Sequence, residues 1–167
     1  MKKMKSRKGF TLIELVIVAV AIGIISAIAI PRFGKVMTRL KLKTTARNVT
    51  SILRLARSNA VSQKGHFGVH FDVDSRQYTL FKDIVNLSSY TYEVGDSALK
   101  AFVLPENVSF GYASFNNSTV IFFPNGSASS SGMVDLWSYD IYDYLWVDVL
   151  ASTGRVKLIK NPYETYY

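Results

Sequence analysis

The stretch RKGFTLIELVIVAVAIGIISAIAIP, residues 7–31, is an apolar run that carries one acid, Glu14, close to its start. As an α-helix its core, residues 10–30, reaches about 32 Å at a rise of 1.5 Å per residue, which matches a hydrocarbon layer of about 30 Å. A carboxylate inside such a span costs roughly 2.5 to 3.5 kcal/mol, so Glu14 marks a functional position whose partner has to be found. A secretory signal peptide also begins basic and then apolar, but its apolar region is shorter and is followed by a small-x-small cleavage site. Here Ser26-Ala27-Ile28-Ala29 runs straight into Pro31 and more helix. The segment therefore reads as a membrane-spanning helix that stays with the chain.

At 167 residues the chain has room for one domain beyond that helix. It has no cysteine, which excludes a disulfide framework, a zinc cluster and a thiol nucleophile. The net charge of +8 suggests nucleic acid until it is divided along the chain. Residues 1–9 hold five bases and no acid; residues 10–64 hold nine bases against Glu14; residues 65–167 hold six bases against eleven acids. The basic balance thus belongs to the leader and the helix, and the remainder is acidic. By the positive-inside rule the N-terminus is cytoplasmic and the acidic mass lies across the membrane.

Beyond Pro31 the helical period resumes with two apolar stripes. Phe33, Val36, Met37 and Leu40 form the first; Leu42, Ala46, Val49, Ile52, Leu53, Ala56 and Ala60 form the second, on roughly the opposite face. One helix of about 50 residues is expected, its upper half packing on partners and its lower half covering a domain core. Arg47, Arg54 and Arg57 fall opposite the second stripe and read as a solvated face. Pro31 and Gly34 mark an expected kink, since proline removes a helix hydrogen bond and crowds the preceding turn.

From Gly65 the period switches to two. Strands are expected at 66–72, 77–82, 100–104, 107–113, 118–123, 132–138, 144–151 and 155–160, separated by turn chemistry such as Pro124-Asn125-Gly126 and Thr153-Gly154. The serine-rich run NGSASSSG, residues 125–132, reads as a flexible loop. Tyr139, Tyr142, Tyr144 and Trp146 are assigned to the sheet and its rim. The fold class is α+β: a long N-terminal helix on a small antiparallel sheet. The expected organisation is a leader at 1–9, a spanning helix at 10–30, its amphipathic continuation at 31–64 and a β-rich head at 65–167.

Lys8-Gly9-Phe10-Thr11-Leu12-Ile13-Glu14 resembles the leader junction of type IV pilins and type II secretion pseudopilins. The resemblance implies cleavage by a prepilin peptidase after Gly9 and N-methylation of Phe10. Further along, LARSNAVSQKGHFGVHFD, VIFFPNGSASSSGMVDLW and LASTGRVKLIK resemble the H-type minor pseudopilins and the FimT/FimU minor pilins, whereas residues 83–117 match no such pattern. Major pilins of the type IVa class close a C-terminal loop with a cysteine pair, which this chain lacks. The resemblance therefore implies a pseudopilin or minor pilin. It would sit in the inner membrane with a periplasmic head until an assembly platform draws it, with other pilin subunits, from membrane lipid into a periplasmic or extracellular filament. Cleavage would leave a positive amine on Phe10, and a neighbour staggered along the filament would bring that amine to Glu14. Removing one member of such a buried pair costs about 3 to 5 kcal/mol, so Glu14 is assigned the setting of subunit register.

Catalytic patterns are scarce. His66 and His70, four residues apart on a strand, lie about 13 Å apart and cannot share a metal. Asp72 and Asp74 lack the later positions of a calcium loop and read as turn caps. There is no G-x-S-x-G elbow and no glycine-rich phosphate loop. No enzymatic activity, cofactor or metal is expected. Gly154-Arg155-Val156-Lys157 resembles the Gly-Arg-x-Arg tail through which some FimT-type minor pilins hold DNA. With Lys160 it offers three phosphate contacts, a salt slope of roughly −2.7 and a weak grip. Three readings thus stand: a structural subunit, a DNA-contacting minor pilin, and a bitopic anchor that never assembles.

Overall fold

The structure, a computed structural model, describes residues 9–160, and the side chains of residues 28–32 lie outside that description. The basic leader positions 1–8 and the side chain of Pro31 are therefore outside the described residues. Helix α1 is Leu12–Gln63, 52 residues, and it continues as helix through positions 31 and 34. It starts at Thr11, whose Oγ1 accepts from Glu14 N at 3.3 Å while its carbonyl accepts from Leu15 N at 3.2 Å. Thr11-x-x-Glu14 has the spacing of a capping box, with an acid in the first turn where the helix dipole favours it. The helix stops because Lys64 turns left-handed at φ 50° and Gly65 N donates to Ala60 O at 3.2 Å, the long bond of a Schellman closure.

Two compact units divide the chain, Met1–Met37 and Thr38–Tyr167. In the first, large apolar side chains are exposed on every side of α1, from Leu12 at 82% to Val16 at 48% and on to Phe33 and Met37. Among the described residues no helix is long and apolar enough to cross a membrane; the described apolar side chains of this run stop at residue 27.

The second unit holds the rest of α1 and eight strands: β1 His66–Asp72, β2 Gln77–Asp83, β3 Ser97–Val103, β4 Ser109–Ala113, β5 Thr119–Phe122, β6 Gly132–Ser138, β7 Asp143–Leu150 and β8 Arg155–Lys160. They form two antiparallel sheets, β3-β2-β1-β5 and β4-β6-β7-β8, where one small sheet was expected. The split is physical: β5 is buried throughout and β1 and β2 bury residues on both faces with none exposed, so they need cover on both sides, whereas β6 alternates and β7 does so in its second half. The core between sheets and helix takes Leu42, Ala46, Val49, Leu53, Ala56 and Ala60 from α1. Phe67, Val69, Phe71 and Val120 come from the first sheet; Val134, Leu136, Val147 and Val149 come from the second. The small residues of α1 let the strands approach closely, and Thr50 satisfies its buried hydroxyl by donating to Ala46 O at 2.8 Å.

The opposite face of the first sheet carries a second apolar layer. Phe81 and Ile121 are fully buried there over Gly68, where a Cβ would meet Phe81 Cζ at 2.6 Å. Tyr92 covers them, 4.8 Å from Phe81 and stacked 5.4 Å from His70. The segment bearing Tyr92 is closed by Asp96, whose carboxylate accepts from the backbone N–H groups of Ile84, Val85 and Glu93. Part of the stretch that carried no family resemblance is thus a lid over the outer face of this sheet.

The serine-rich loop corrects an expectation of flexibility. Ser129 N donates to Ile121 O and its Oγ accepts from Ile121 N, so the loop runs along the free edge of β5. Ala128 N bonds to Ala151 O and Ser131 Oγ accepts from Ala151 N, which ties the two sheets together. Serine hydroxyls here replace the backbone partners that an edge strand lacks.

Candidate functional site

The processing junction lies at the start of α1. Gly9 and Phe10 are exposed, Phe10 at 76%, and lie outside the helix, just before the Thr11 cap. Glu14, also exposed, sits on the first turn, three residues into the helix. A cut after Gly9 would place a new amine one residue before the cap, at the positive end of the helix dipole, where an acid is needed to offset it.

A second assembly of residues lies where three distant sequence motifs meet. Arg57, in the Ala-Arg-Ser-x-Ala segment of α1, donates from Nε to Gly126 O at 2.9 Å. Gly126 ends the Phe-x-Pro-x-Gly turn with φ 82°, and Gly154 of the closing Gly-Arg strand packs on it with φ 60°. A Cβ on Gly154 would collide with Gly126 O, so only glycine allows this approach. One turn earlier, Arg54 Nη2 donates to Val156 O at 3.1 Å and caps the outer edge of β8. Arg54 and Arg57 are therefore structural clasps to loops and strand edge, which corrects their reading as a purely solvated face. With Arg155 and the hydroxyls of Ser58, Ser62 and Thr153 they line an open groove of 870 Å³.

The proposed DNA contacts are not gathered at one point. Arg155 and Lys157 are exposed on the same face of β8, as alternation requires, but Lys157 lies opposite Asp148 of β7. Lys160 instead lines a separate pocket with Arg39, Lys43 and Asp143, where Arg39 pairs with Asp143 at 3.5 Å.

The histidines are structural. Thr119 Oγ1 donates to Asn117 O at 2.9 Å, so it must accept from His70 Nδ1, also at 2.9 Å, and this fixes the proton on that nitrogen. Burial lowers the His70 pKa, with Asp72 opposing. His66 Nδ1 stands 3.8 Å from the buried carboxylate of Asp83, which burial and then Asp96 push upward. Asp72 caps its turn by accepting from Ser75 N at 2.9 Å, as its spacing implied. Among the described residues no three His, Asp or Glu side chains are grouped to hold a metal ion.

Against this geometry the comparisons with known proteins fall into place. Residues 4–30 match the prokaryotic N-terminal methylation motif, and residues 45–140 match the family of type II transport protein GspH. Over 58 residues the chain is 47% identical to fimbrial proteins of Pseudomonas aeruginosa, covering 35% of this chain; the match spans 37% of those relatives' length. The minor pseudopilin EpsH of the Vibrio cholerae type 2 secretion system superposes with a TM-score of 0.56 at 18% identity, over 74% of this chain and 99% of that one. The type IV minor pilin FimU of Pseudomonas aeruginosa gives 0.56 at 15% identity, over 72% and 90%. At those identities the likeness is one of fold, a long helix on antiparallel sheets. The GspH match, by contrast, covers more than half of the 167 residues, and on that ground the chain belongs to the family of type II transport protein GspH.

Proposed function

We propose that this protein is a pilin-like structural subunit of a type II secretion pseudopilus or a type IV pilus. It is held in the inner membrane with its N-terminus in the cytoplasm, cut after Gly9 by a prepilin peptidase, methylated on Phe10 and delivered to the filament by the assembly platform. The observation that carries this reading is the contrast within one helix. The lower part of α1 is buried in the head, while its first part exposes apolar side chains on every side. Such a surface needs lipid or neighbouring helices around it. In the filament the amine of Phe10 pairs with Glu14 of a neighbour and sets the register.

The test is Glu14→Ala in the native host. Membrane insertion and cleavage should persist while the subunit disappears from sheared filaments. Filament incorporation at the wild-type level would remove the register role, and a subunit that is inserted but never incorporated even with Glu14 intact would leave the simple anchor.

The groove shared by Arg54, Arg57 and Arg155 supports a second reading, contact with nucleic acid along that face. Charge reversal at Arg155 and Lys157 should then abolish DNA retention and its salt dependence without changing assembly. Retention that survives the reversal would exclude it.

A further inference from the structure

One end of the second sheet carries a charge that the rest of the head does not. Residues 65–167 hold six bases against eleven acids, yet where β7 begins and β8 ends three bases surround one acid. Lys160 closes β8 opposite Leu145, and Arg39 and Lys43 reach the same place from α1, four residues apart on one helix face. Asp143 pairs with Arg39 at 3.5 Å, which leaves the guanidinium with further donors. Among the described residues Lys43 and Lys160 have no ion-pair partner, and both are exposed. The two lysines are therefore uncompensated positive charge on an acidic head.

These charges rim a pocket of 180 Å³ whose walls include the half-buried Leu145 and Leu158. That volume is below the roughly 300 to 1,000 Å³ of sites that enclose a whole small molecule, so the pocket suits an anionic group at the end of a larger, apolar one. A nucleic-acid strand presents a row of phosphates and calls for a track of bases, whereas the bases here converge on one point. The position in the chain adds a tether. Arg39 follows the apolar run of residues 10–30 by nine residues, a reach of at most about 30 Å even in fully extended chain. A site held so close to a membrane span meets lipid headgroups at high effective concentration.

We propose that this pocket binds the headgroup of an anionic phospholipid, its phosphate held by Lys43, Lys160 and Arg39 and its glycerol esters laid against Leu145 and Leu158. Basic side chains at a lipid surface attract anionic headgroups, and adjoining apolar area strengthens the grip. The inference rests on the reading of residues 10–30 as a membrane span and adds to it a contact that holds the head on the bilayer before assembly.

Two measurements on the full chain separate the span from the site. Flotation with phosphatidylcholine vesicles reads the span, because that lipid has no net charge. Native mass spectrometry in detergent micelles, with dihexanoylphosphatidylglycerol as titrant, reads the site. One lipid should be retained per chain, saturably, and dihexanoylphosphatidylcholine should bind about tenfold more weakly. Lys43→Gln combined with Lys160→Gln should weaken phosphatidylglycerol retention about thirtyfold. Lys82→Gln combined with Lys100→Gln, an equal loss of charge on the first sheet, should leave it unchanged. A chain that does not float overturns the span and this proposal with it. A chain that floats but retains both lipids equally, or keeps its phosphatidylglycerol without Lys43 and Lys160, overturns the proposal alone. So does displacement of the lipid by equimolar inorganic phosphate, which would make this a site for the free ion. Displacement by a short DNA strand at lower concentration would assign the pocket to nucleic acid and overturn the proposal equally.

Discussion

At the scale of single residues, the tightest constraint is the meeting of Gly154 with Gly126 beneath Arg57. Gly154→Ala adds a Cβ that collides with a backbone carbonyl at a positive φ, and backbone strain of this kind costs about 1 to 3 kcal/mol. Chemical denaturation of the full chain should show the loss, and an unchanged midpoint would mean that the turn relaxes freely. His70 supplies a pH dependence. Its pKa is lowered in the fold, so below the ordinary value of 6.5 the unfolded chain takes up the proton first. Stability should fall as pH drops from 6.5 through the lowered value and then level off, and His70→Gln should remove that part of the slope. Asp83 works in the opposite direction at lower pH: its raised pKa makes the fold gain stability as pH falls toward 3.8. None of these contacts was legible in the sequence. The glycine and arginine motifs were visible as words, but their meeting joins residues 57, 126 and 154, and no local pattern encodes such a junction.

At the scale of elements, the sequence was most readable where periodicity is strict. The two stripes of α1 separate as expected: Leu42, Ala46, Val49 and Leu53 are buried, and Phe33, Val36, Met37 and Leu40 are exposed. Leu53→Ala should therefore cost about 2 to 5 kcal/mol of head stability. Leu40→Ala should change stability by less than about 0.5 kcal/mol and instead reduce incorporation into filaments. Equal stability losses in the two would mean that α1 buries both faces within one subunit. All eight strands were expected, and the largest boundary error has a cause. β3 begins at Ser97 rather than 100, because pairing slips between Leu80 and Phe81 and leaves Leu99 as an extra residue. A bulge interrupts alternation, so the pattern recovers only after it. The cap of α1 was also present as Thr11-x-x-Glu14, a signal overshadowed by the question of what an acid does in an apolar run. The serine-rich loop misled in the other direction, since composition registers hydroxyls but not the edge-strand groups they satisfy.

At the scale of the whole molecule, one chain combines an apolar helix start, a capped first turn bearing Glu14 and an acidic head of two sheets clasped to the helix by Arg54 and Arg57. Fold class and family were legible because a leader motif and a helical period sustained along a 52-residue helix are local properties; the division into two sheets was not, because it depends on which strands are covered on both faces. The central claim is that the chain is a processed, assembling subunit, and processing is the step on which the Glu14 pairing depends. The intact mass of the protein from native membranes or sheared filaments tests it most directly. The expected species begins at N-methylated Phe10. A mature pool that retains residues 1–9 would leave Glu14 without its amine and contradict it.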